Sequence, residues 1–275
     1  MTETRLFGVV GHPVRHSLSP AIHAFWYNQL GLKAAYQALD LVSDTAVKDI
    51  RSLARFGYSG LNVTLPHKLS AFEAASDMSA AARTIGAINT LASRSDGDDH
   101  RHWFGENTDW TGFLWSLDRV MDVLPSHAVL IGAGGAARAV AYALNTRALA
   151  LTLINRTEDK ARELASDLSL NVSRVTGLTD LTEVCTGADL VINTVSLGHS
   201  GGHLELPTTV SGTFLDISYG NAAEATLDSA KNAGWQVEDG LPMLIGQAAD
   251  AFKLWFGVDP DREAALSAMR KRVSA

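Results

Sequence analysis

The stretch Val129-Leu130-Ile131-Gly132-Ala133-Gly134-Gly135-Ala136-Ala137-Arg138 decides the fold, because an apolar run ends there in closely spaced glycines. It fits the pattern G-x-G-x-x-A between a strand and a helix. The first glycine permits a tight turn, the second lets the backbone approach a pyrophosphate, and the small last residue lets helix and strand pack closely. A dinucleotide site at a helix N-terminus is therefore predicted, formed by Gly132, Ala133, Gly134, Gly135 and Ala136. An ordinary glycine-rich turn is the alternative.

The residues after the next strand indicate which dinucleotide binds. Residues 149–154 form an apolar run, and Asn155-Arg156-Thr157 follows it without an acidic residue. An acid at this point would repel a 2′-phosphate, whereas a guanidinium can grip that phosphate with two hydrogen bonds. Lys160 adds positive charge one helical turn later. The pattern predicts NADP at these four residues. The alternative is that Asn155 and Thr157 cap the next helix while Arg156 is solvated.

Around this segment, short apolar runs alternate with amphipathic helical runs, which is typical of a parallel α/β sheet. Strands are predicted over 6–10, 35–39, 60–63, 128–131, 149–154, 190–193 and 213–217. Helices are predicted over 20–30, 44–56, 68–85, 108–121, 136–144, 158–168, 242–256 and 261–273. Ser19 is placed to cap the first helix. The polar run 96–101 predicts a turn or hairpin tip near a domain boundary.

Composition excludes several classes of function. The chain of 275 residues is 46% hydrophobic and carries a net charge of −7, which opposes affinity for nucleic acid or anionic lipid. The sequence has no run of 18 apolar residues, so we expect no membrane span. Cys185 is its single cysteine, so we expect no intrachain disulfide. His12 and His16, like His199 and His203, are four residues apart but lack a third ligand nearby, so no metal site is expected. We expect a cytoplasmic protein, either a monomer or a homodimer.

Four polar motifs follow predicted strands or precede predicted helices in the first half of the chain. They are His16-Ser17-Leu18-Ser19-Pro20, Asn62-Val63-Thr64-Leu65-Pro66-His67-Lys68, Gly86-Ala87-Ile88-Asn89-Thr90 and Asn107-Thr108-Asp109. Ligands of open α/β sheets bind at the carboxyl ends of strands, so such motifs converge on one crevice. Each motif also has a structural interpretation, since serines cap helices, Asn62 and Thr64 suit turns, Lys68 suits a surface position and Asp109 suits the start of a helix.

Together these motifs resemble the shikimate dehydrogenase family, in the family's order and spacing over nearly the whole chain. The segments DISY at 216–219 and DGLPMLIGQAA at 239–249 extend the resemblance. It implies an α/β protein with two domains. Residues 1–107 and 241–275 would form a parallel-sheet substrate-binding and catalytic domain, and residues 108–240 a Rossmann-type NADP-binding domain. The implied reaction is the reversible NADP-linked reduction of 3-dehydroshikimate to shikimate, on the route to chorismate and the aromatic amino acids.

The resemblance also implies a role for each matching residue. Ser17 and Ser19 would hold the substrate carboxylate, and Lys68 and Asp109 would sit at the reacting hydroxyl. The remaining substrate contacts would come from Asn62, Thr64, Asn89, Tyr219 and Gln247. Ile217 and Gly240 would line the nicotinamide end of the cofactor. A lysine and an aspartate at a hydroxyl can move its proton and stabilise alkoxide charge, and either residue could be the proton acceptor.

Two loops depart from the family pattern. Gly220-Asn221 stands where the family usually has Asn-Pro, and the loop 193–199 loses the threonine hydroxyl of the family pattern and has His199 in place of Met. The nearest alternative is a quinate/shikimate dehydrogenase, which often has threonine in place of Ser19 and an acid near position 155. A non-catalytic NADP-binding sensor is an alternative of another class, and it would be expected to lack Lys68 or Asp109.

Overall fold

The computed structural model describes residues 4–95, 101–198 and 201–273. The chain forms two compact units, of which the first comprises Met1–Gly112 and Ile245–Arg272 and the second Phe113–Leu244 and Val273–Ala275. Sequence patterns set these boundaries at 107/108 and 240/241, a few residues earlier. The division of substrate and cofactor roles between the two units remains a prediction.

The described strands and helices follow in chain order. The strands are β1 (Arg5–Gly11), β2 (Ala34–Asp40), β3 (Tyr58–Val63), β4 (Asp77–Met78), β5 (Thr90–Ser95), β6 (Arg101–Glu106), β7 (His127–Ile131), β8 (Ala150–Ile154), β9 (Val172–Thr176), β10 (Leu190–Asn193), β11 (Thr213–Asp216) and β12 (Gln236–Glu238). The α-helices are α1 (Ser19–Gln29), α2 (Ala46–Arg55), α3 (Lys68–Ala74), α4 (Ala80–Ile85), α5 (Asp109–Val120), α6 (Gly135–Thr146), α7 (Glu158–Asp167), α8 (Leu181–Cys185), α9 (Asn221–Asn232), α10 (Leu241–Phe256) and α11 (Arg262–Val273).

The sheet of the first unit has the order β2-β1-β3-β5-β6-β4 and is mixed. Strand β1 pairs in parallel with β2 and β3, as predicted, but β5 runs antiparallel to both β3 and β6. The prediction of a parallel sheet is therefore wrong for two pairs of strands, β3 with β5 and β5 with β6. The physical reason is the short connection between β5 and β6, since parallel neighbours need a crossover of a dozen or more residues. Residues 96–100, predicted as part of a turn or hairpin tip, lie outside the described residues.

Two helix predictions for the first unit need correction. The predicted helix 68–85 is divided into α3 and α4 by the short strand β4, and the hydroxyl of Ser79 caps α4 by accepting from Ala82 N at 3.0 Å. Helix α1 begins at Ser19 itself, and the N-cap position is Leu18, which makes no side-chain cap. Ser19 is therefore not the cap. Its own backbone N–H donates to Ser17 Oγ at 3.2 Å, so the capping hydroxyl at this turn belongs to Ser17.

The second unit is a doubly wound sheet of six parallel strands in the order β12-β11-β10-β7-β8-β9. The chain order reverses between β7 and β10, which is where dinucleotides bind in this topology. Strands β7 and β10 are apolar along almost their whole length, as strands covered on both faces must be. Helix α6 starts at the carboxyl end of β7, beside this reversal. Nowhere in the described ranges is there a helix long and apolar enough to cross a membrane.

Candidate active site

A buried ion pair stands at the centre of the candidate site in the first unit. Lys68 begins α3 and Asp109 begins α5, so both side chains project from first helical turns. Lys68 Nζ donates to Asp109 Oδ2 at 2.6 Å, and the two side chains are only 14% and 8% exposed. Such a pair, shielded from water and anchored on two helices, is suited to exchanging a proton with a substrate hydroxyl.

Asn89 orients the carboxylate of this pair. Its Oδ1 accepts from the backbone N–H of Thr108 at 2.7 Å, which turns the amide nitrogen towards Asp109. Asn89 Nδ2 then donates to Asp109 Oδ1 at 2.7 Å and lies 3.3 Å from Gln247 Oε1 on α10. The structure therefore brings together four of the residues predicted for substrate binding or catalysis: Lys68, Asn89, Asp109 and Gln247.

The β5–β6 hairpin explains how residues distant in sequence meet here. Thr90 is paired with Glu106, so Asn89 and Asn107 stand side by side where the hairpin opens. Asn107 Nδ2 donates to Ala87 O at 2.9 Å and Asn107 Oδ1 accepts from Asp109 N at 3.1 Å. The motifs at 86–90 and 107–109 are thus joined by hydrogen bonds at the open end of the hairpin. Asn107, which was not predicted as a site residue, fixes the start of α5.

Of the residues predicted to hold the substrate carboxylate, Ser17 lies in the loop between β1 and α1, and Ser19 is the first residue of α1. Thr64 follows β3, and its N–H donates to Val10 O at 2.8 Å. A Cβ at Gly11, the last residue of β1, would lie 2.5 Å from Thr64 Cγ2 and 3.1 Å from Leu65 O, so the close approach of these segments favours glycine. Ser19 is buried and Ser17 is half-buried. Asn62, predicted as a substrate contact, makes side-chain hydrogen bonds to Tyr36 and Thr90.

The glycine turn of the second unit has the geometry that a dinucleotide needs. Gly132 has φ +111°, and a Cβ there would lie 2.3 Å from Thr194 Oγ1, so both conformation and space demand glycine. Gly134 is the N-cap of α6 and provides no side-chain cap. A Cβ at Gly134 would meet nothing within 4 Å. The N-terminus of α6 therefore has open space beside Gly134, as a bound pyrophosphate requires.

The Asn155-Arg156-Thr157 turn leaves its positive charge accessible. Arg156 and Lys160 are exposed, and within the described parts of the chain neither side chain has a hydrogen-bond or ion-pair partner. Thr157 occupies the N-cap position of α7 but makes no side-chain cap, and Asn155 Nδ2 donates to Thr157 O at 2.7 Å. The capping alternative is therefore wrong for Thr157, and the arginine remains available for a phosphate.

Ile217 and Gly240 lie against each other at the ends of β11 and β12. Gly240 N donates to Ser218 O at 2.8 Å, and a Cβ at Gly240 would approach Ile217 O to 1.9 Å, so no larger residue fits. Tyr219 lies two residues beyond Ile217 in the second unit and is half-buried. In the neighbouring loop that departs from the family pattern, Gly198 packs so tightly on Ala222 that it too must be glycine. His199 lies outside the described residues.

Asp216 belongs to the DISY motif at 216–219 but was not predicted as a site residue; the structure makes it a candidate. It is buried, and its carboxylate accepts from Asn193 Nδ2 at 2.9 Å and from Ser218 N at 2.8 Å. Burial raises the pKa of Asp216, and these two hydrogen bonds oppose the shift. Since Asn193 ends β10 and Ser218 follows β11, the carboxylate ties together two loops at the carboxyl edge of the sheet.

Among the residues that the structure describes, no group of three or more His, Cys, Asp and Glu side chains is arranged to hold a metal ion. The groups assembled in the two units are instead hydrogen-bond donors, a Lys–Asp pair and an open glycine turn. A doubly wound sheet with such a turn, in a chain that also holds a buried acid–base pair, defines a nucleotide-linked dehydrogenase.

Comparisons with known proteins identify the family. The models "Shikimate dehydrogenase substrate binding domain", "Shikimate / quinate 5-dehydrogenase" and "Shikimate 5'-dehydrogenase C-terminal domain" match residues 9–91, 117–200 and 240–270. A shikimate dehydrogenase (NADP(+)) of Hyphomonas neptunium is 46% identical over 99% of each chain. The crystal structure of shikimate dehydrogenase from Aquifex aeolicus is 33% identical, with a TM-score of 0.87 over 98% of this chain and 100% of that one.

A second solved structure was determined with ligands. Shikimate 5-dehydrogenase from Thermus thermophilus, in complex with NADP(H) and shikimate, is 35% identical, with a TM-score of 0.81 over 97% of this chain and 99% of that one. The present chain belongs to the shikimate dehydrogenase family. This confirms the predicted family, the predicted α/β fold and the predicted class of enzyme, an NADP-linked oxidoreductase.

Proposed function

We propose that this protein catalyses the reversible reduction of 3-dehydroshikimate to shikimate with NADPH, a step towards chorismate and the aromatic amino acids. The observation that carries the proposal is the buried contact of 2.6 Å between Lys68 and Asp109, with Asn89 orienting the carboxylate. A non-catalytic NADP-binding sensor would have no need to keep this pair intact and shielded.

The proton is handled by Lys68 and Asp109. Bound NADPH supplies the hydride that converts the ring ketone into an alkoxide. The ammonium of Lys68 stabilises that developing negative charge and is placed to donate a proton to it, and Asp109 holds the ammonium in position. In the oxidation direction one of the two groups accepts the proton of the substrate hydroxyl. Because their atoms are 2.6 Å apart, we treat them as one acid–base unit.

The rest of the substrate is held by hydroxyl and amide groups. Ser17 and Ser19 donate hydrogen bonds to the carboxylate, and Thr64, Asn89 and Gln247 contact the ring hydroxyls. Asn62 and Tyr219 are proposed as further contacts. Serine hydroxyls at the carboxylate favour an acid over its ester, because a site built for those bonds rejects a ligand that leaves polar groups unpaired.

The proposed NADP site belongs to the second unit. Gly132 to Ala136 approach the pyrophosphate at the N-terminus of α6, which the open face of Gly134 supports. Asn155, Arg156, Thr157 and Lys160 receive the 2′-phosphate, which the exposure of the Arg156 side chain supports. Ile217 and Gly240 line the nicotinamide end, which their close backbone approach supports.

A steady-state assay with shikimate and with quinate, each with NADP and with NAD, tests the proposal. Turnover of shikimate with NADP, at a kcat/KM well above the other three combinations, is the expected result. Comparable turnover of quinate would favour the quinate/shikimate dehydrogenase alternative. NADP binding without turnover of either substrate would favour the sensor. The methyl ester of shikimate is the matched control for the carboxylate, and we expect it to be a poor substrate.

We further propose a cytoplasmic location, which fits the single buried and unpaired Cys185 and the dependence on NADPH. A monomer and a homodimer are both compatible with this function. Sedimentation analysis of the purified chain distinguishes them.

A further inference from the structure

The Tyr36 hydroxyl stands at the start of a buried chain of hydrogen bonds that ends on the Asp109 carboxylate. Tyr36 OH lies 2.7 Å from Asn62 Oδ1, and Asn62 Nδ2 lies 3.2 Å from Thr90 Oγ1. Thr90 Oγ1 lies 3.1 Å from Asn89 Oδ1, and Asn89 Nδ2 lies 2.7 Å from Asp109 Oδ1. The chain thus crosses the sheet of the first unit from the edge strand β2, through β3 and β5, to the first residue of α5.

The direction of every bond in this chain follows from one fixed point. Asn89 Oδ1 accepts from a backbone N–H, that of Thr108, and so cannot be exchanged with the amide nitrogen. This amide oxygen can only accept, so the Thr90 hydroxyl donates its one proton to it and accepts in turn from Asn62 Nδ2. This leaves Asn62 Oδ1 facing Tyr36, whose hydroxyl must be the donor. All donors therefore point the same way, towards the carboxylate.

Aligned hydrogen bonds polarise one another, so each donor in such a chain strengthens the next. The last bond is the one that holds Asp109 Oδ1 while Oδ2 accepts from Lys68. A donor at the far end of the chain therefore acts on the geometry of the Lys68–Asp109 pair without touching substrate.

The environment keeps Tyr36 a donor. Its ring stacks on the buried imidazole of His23, with ring centroids 4.3 Å apart and planes inclined by 8°. Burial raises the pKa of Tyr36 well above its usual value of 10, with a nearby Tyr27 adding to the shift and the hydroxyl of Ser19 opposing it. Burial also lowers the pKa of His23 to about 3, so the stacked ring is neutral at physiological pH. The phenol therefore keeps its proton.

We propose that Tyr36 is a positioning residue for this reaction: its hydroxyl fixes the amide of Asn62, and through Thr90 and Asn89 it holds the Asp109 carboxylate in line with Lys68. This inference rests on the proposed function and deepens it. It assigns to a residue of the edge strand an effect on the chemical step, in addition to any effect on binding through its neighbour Ser19.

Tyr36→Phe is the direct test, because it deletes the hydroxyl and keeps the ring on His23. Tyr58→Phe is the matched control, since Tyr58 OH also donates at 2.7 Å to a side-chain carbonyl, that of Gln37, in the same sheet. We expect kcat for reduction of 3-dehydroshikimate to fall about tenfold in Tyr36→Phe, the scale of one hydrogen bond. We expect no change in kcat in Tyr58→Phe and no change in the KM for NADPH in either variant.

A double variant separates positioning from general loosening. If Tyr36 acts through Thr90, then Tyr36→Phe should lower kcat little further in a Thr90→Val background. Wild-type turnover is measured first, so that a failure of the proposed function is seen independently. With an active wild type, three outcomes would each overturn the inference: a kcat of Tyr36→Phe within twofold of wild type, an equal fall in Tyr58→Phe, or full additivity in the double variant.

Discussion

Replacing Lys68 by alanine removes the ammonium group from a buried carboxylate. In the wild-type protein Lys68 Nζ donates to Asp109 Oδ2 at 2.6 Å, with the two side chains 14% and 8% exposed. After the substitution, Asp109 Oδ1 still accepts from Asn89 Nδ2 at 2.7 Å. We therefore expect the carboxylate to stay close to its position while the group proposed to stabilise the alkoxide is lost.

Two magnitudes follow. A positioned acid–base group is worth about 10²–10⁴-fold in rate, which is about 3–5 kcal/mol of activation free energy. Removing one partner of a buried ion pair costs about 3–5 kcal/mol of unfolding free energy. We expect the lower end here, because Lys68 is already 14% exposed and water can enter the space it leaves. The kinetics must accordingly be measured well below the unfolding temperature of the variant.

The assay follows the loss of NADPH absorbance during reduction of 3-dehydroshikimate, with circular dichroism to confirm that each variant is folded. We expect Lys68→Ala to lose about 10²–10⁴-fold in kcat with little change in KM, the mark of an interaction made mainly in the transition state. Lys253→Ala is the matched control, since Lys253 makes an exposed ion pair with Asp259 at 3.2 Å. Asp109→Asn should also be slow, and the double variant should be far from additive.

A Lys68→Ala enzyme with near-normal kcat and a raised KM would refute this reasoning. It would mean that the lysine contributes equally to binding the ground state and the transition state. Lys68 would then be a binding residue only, and the catalytic assignment would be withdrawn.

Three further predictions concern the cofactor and the folded state. Arg156→Ala should weaken NADP binding by about 1.5–3 kcal/mol, the scale of a charge-assisted hydrogen bond, and leave NAD binding unchanged; an equal loss for both cofactors in titration calorimetry would make Arg156 structural. Gly134→Ala should leave the melting temperature unchanged, because a Cβ there meets nothing within 4 Å. The same methyl group should weaken NADP binding by about 1–3 kcal/mol, because it would be overpacked against the phosphates. Normal NADP binding by this variant would mean that the pyrophosphate lies elsewhere. His23 has a pKa lowered to about 3 in the folded protein, below its unfolded value, so the unfolded chain binds the extra proton and stability is lost as pH falls below about 6.5. The free energy of unfolding can be measured by urea titration at several pH values between about 6 and 4. Its slope against pH should be about 1.4 kcal/mol per pH unit steeper for wild type than for His23→Phe. Equal slopes for the two proteins would contradict this.

Most strands of the second unit could be predicted because its central strands are continuous apolar runs in the sequence. Strands buried on both faces are continuous apolar runs, and the run before Gly132 is followed at once by the glycine pattern. Two strands of this unit were not predicted, β9 and β12, and they lie at the two edges of its sheet. Edge strands have exposed side chains, so polar residues interrupt their pattern, as Ser173 and Arg174 do in β9.

The candidate site was predictable in its residues but not in its connections. Lys68, Asn89, Asp109 and Gln247 were each recognised from the motif around them. The hydrogen bonds between them join residues up to 158 positions apart in the chain, and local sequence carries no signal for such pairs. The same holds for Asn62, whose side chain bonds to Tyr36 and Thr90 on the flanking regions of the sheet.

The sequence predicted a turn or hairpin tip at 96–101 but not the strands β5 and β6 that flank it, and these two strands set the geometry of the candidate site. Their register pairs Thr90 with Glu106, which sets Asn89 just before one strand and Asp109 just after the other. A slip of one residue would turn every side chain of β5 to the opposite face, and Asn89 would lose Thr108 and Asp109 together. Trp103 in β6 fixes its own strand against such a slip, because its side chain is buried and its indole N–H donates to Ile50 O at 2.6 Å. The packing of one tryptophan thus protects the alignment of candidate catalytic groups that lie beyond the end of its strand.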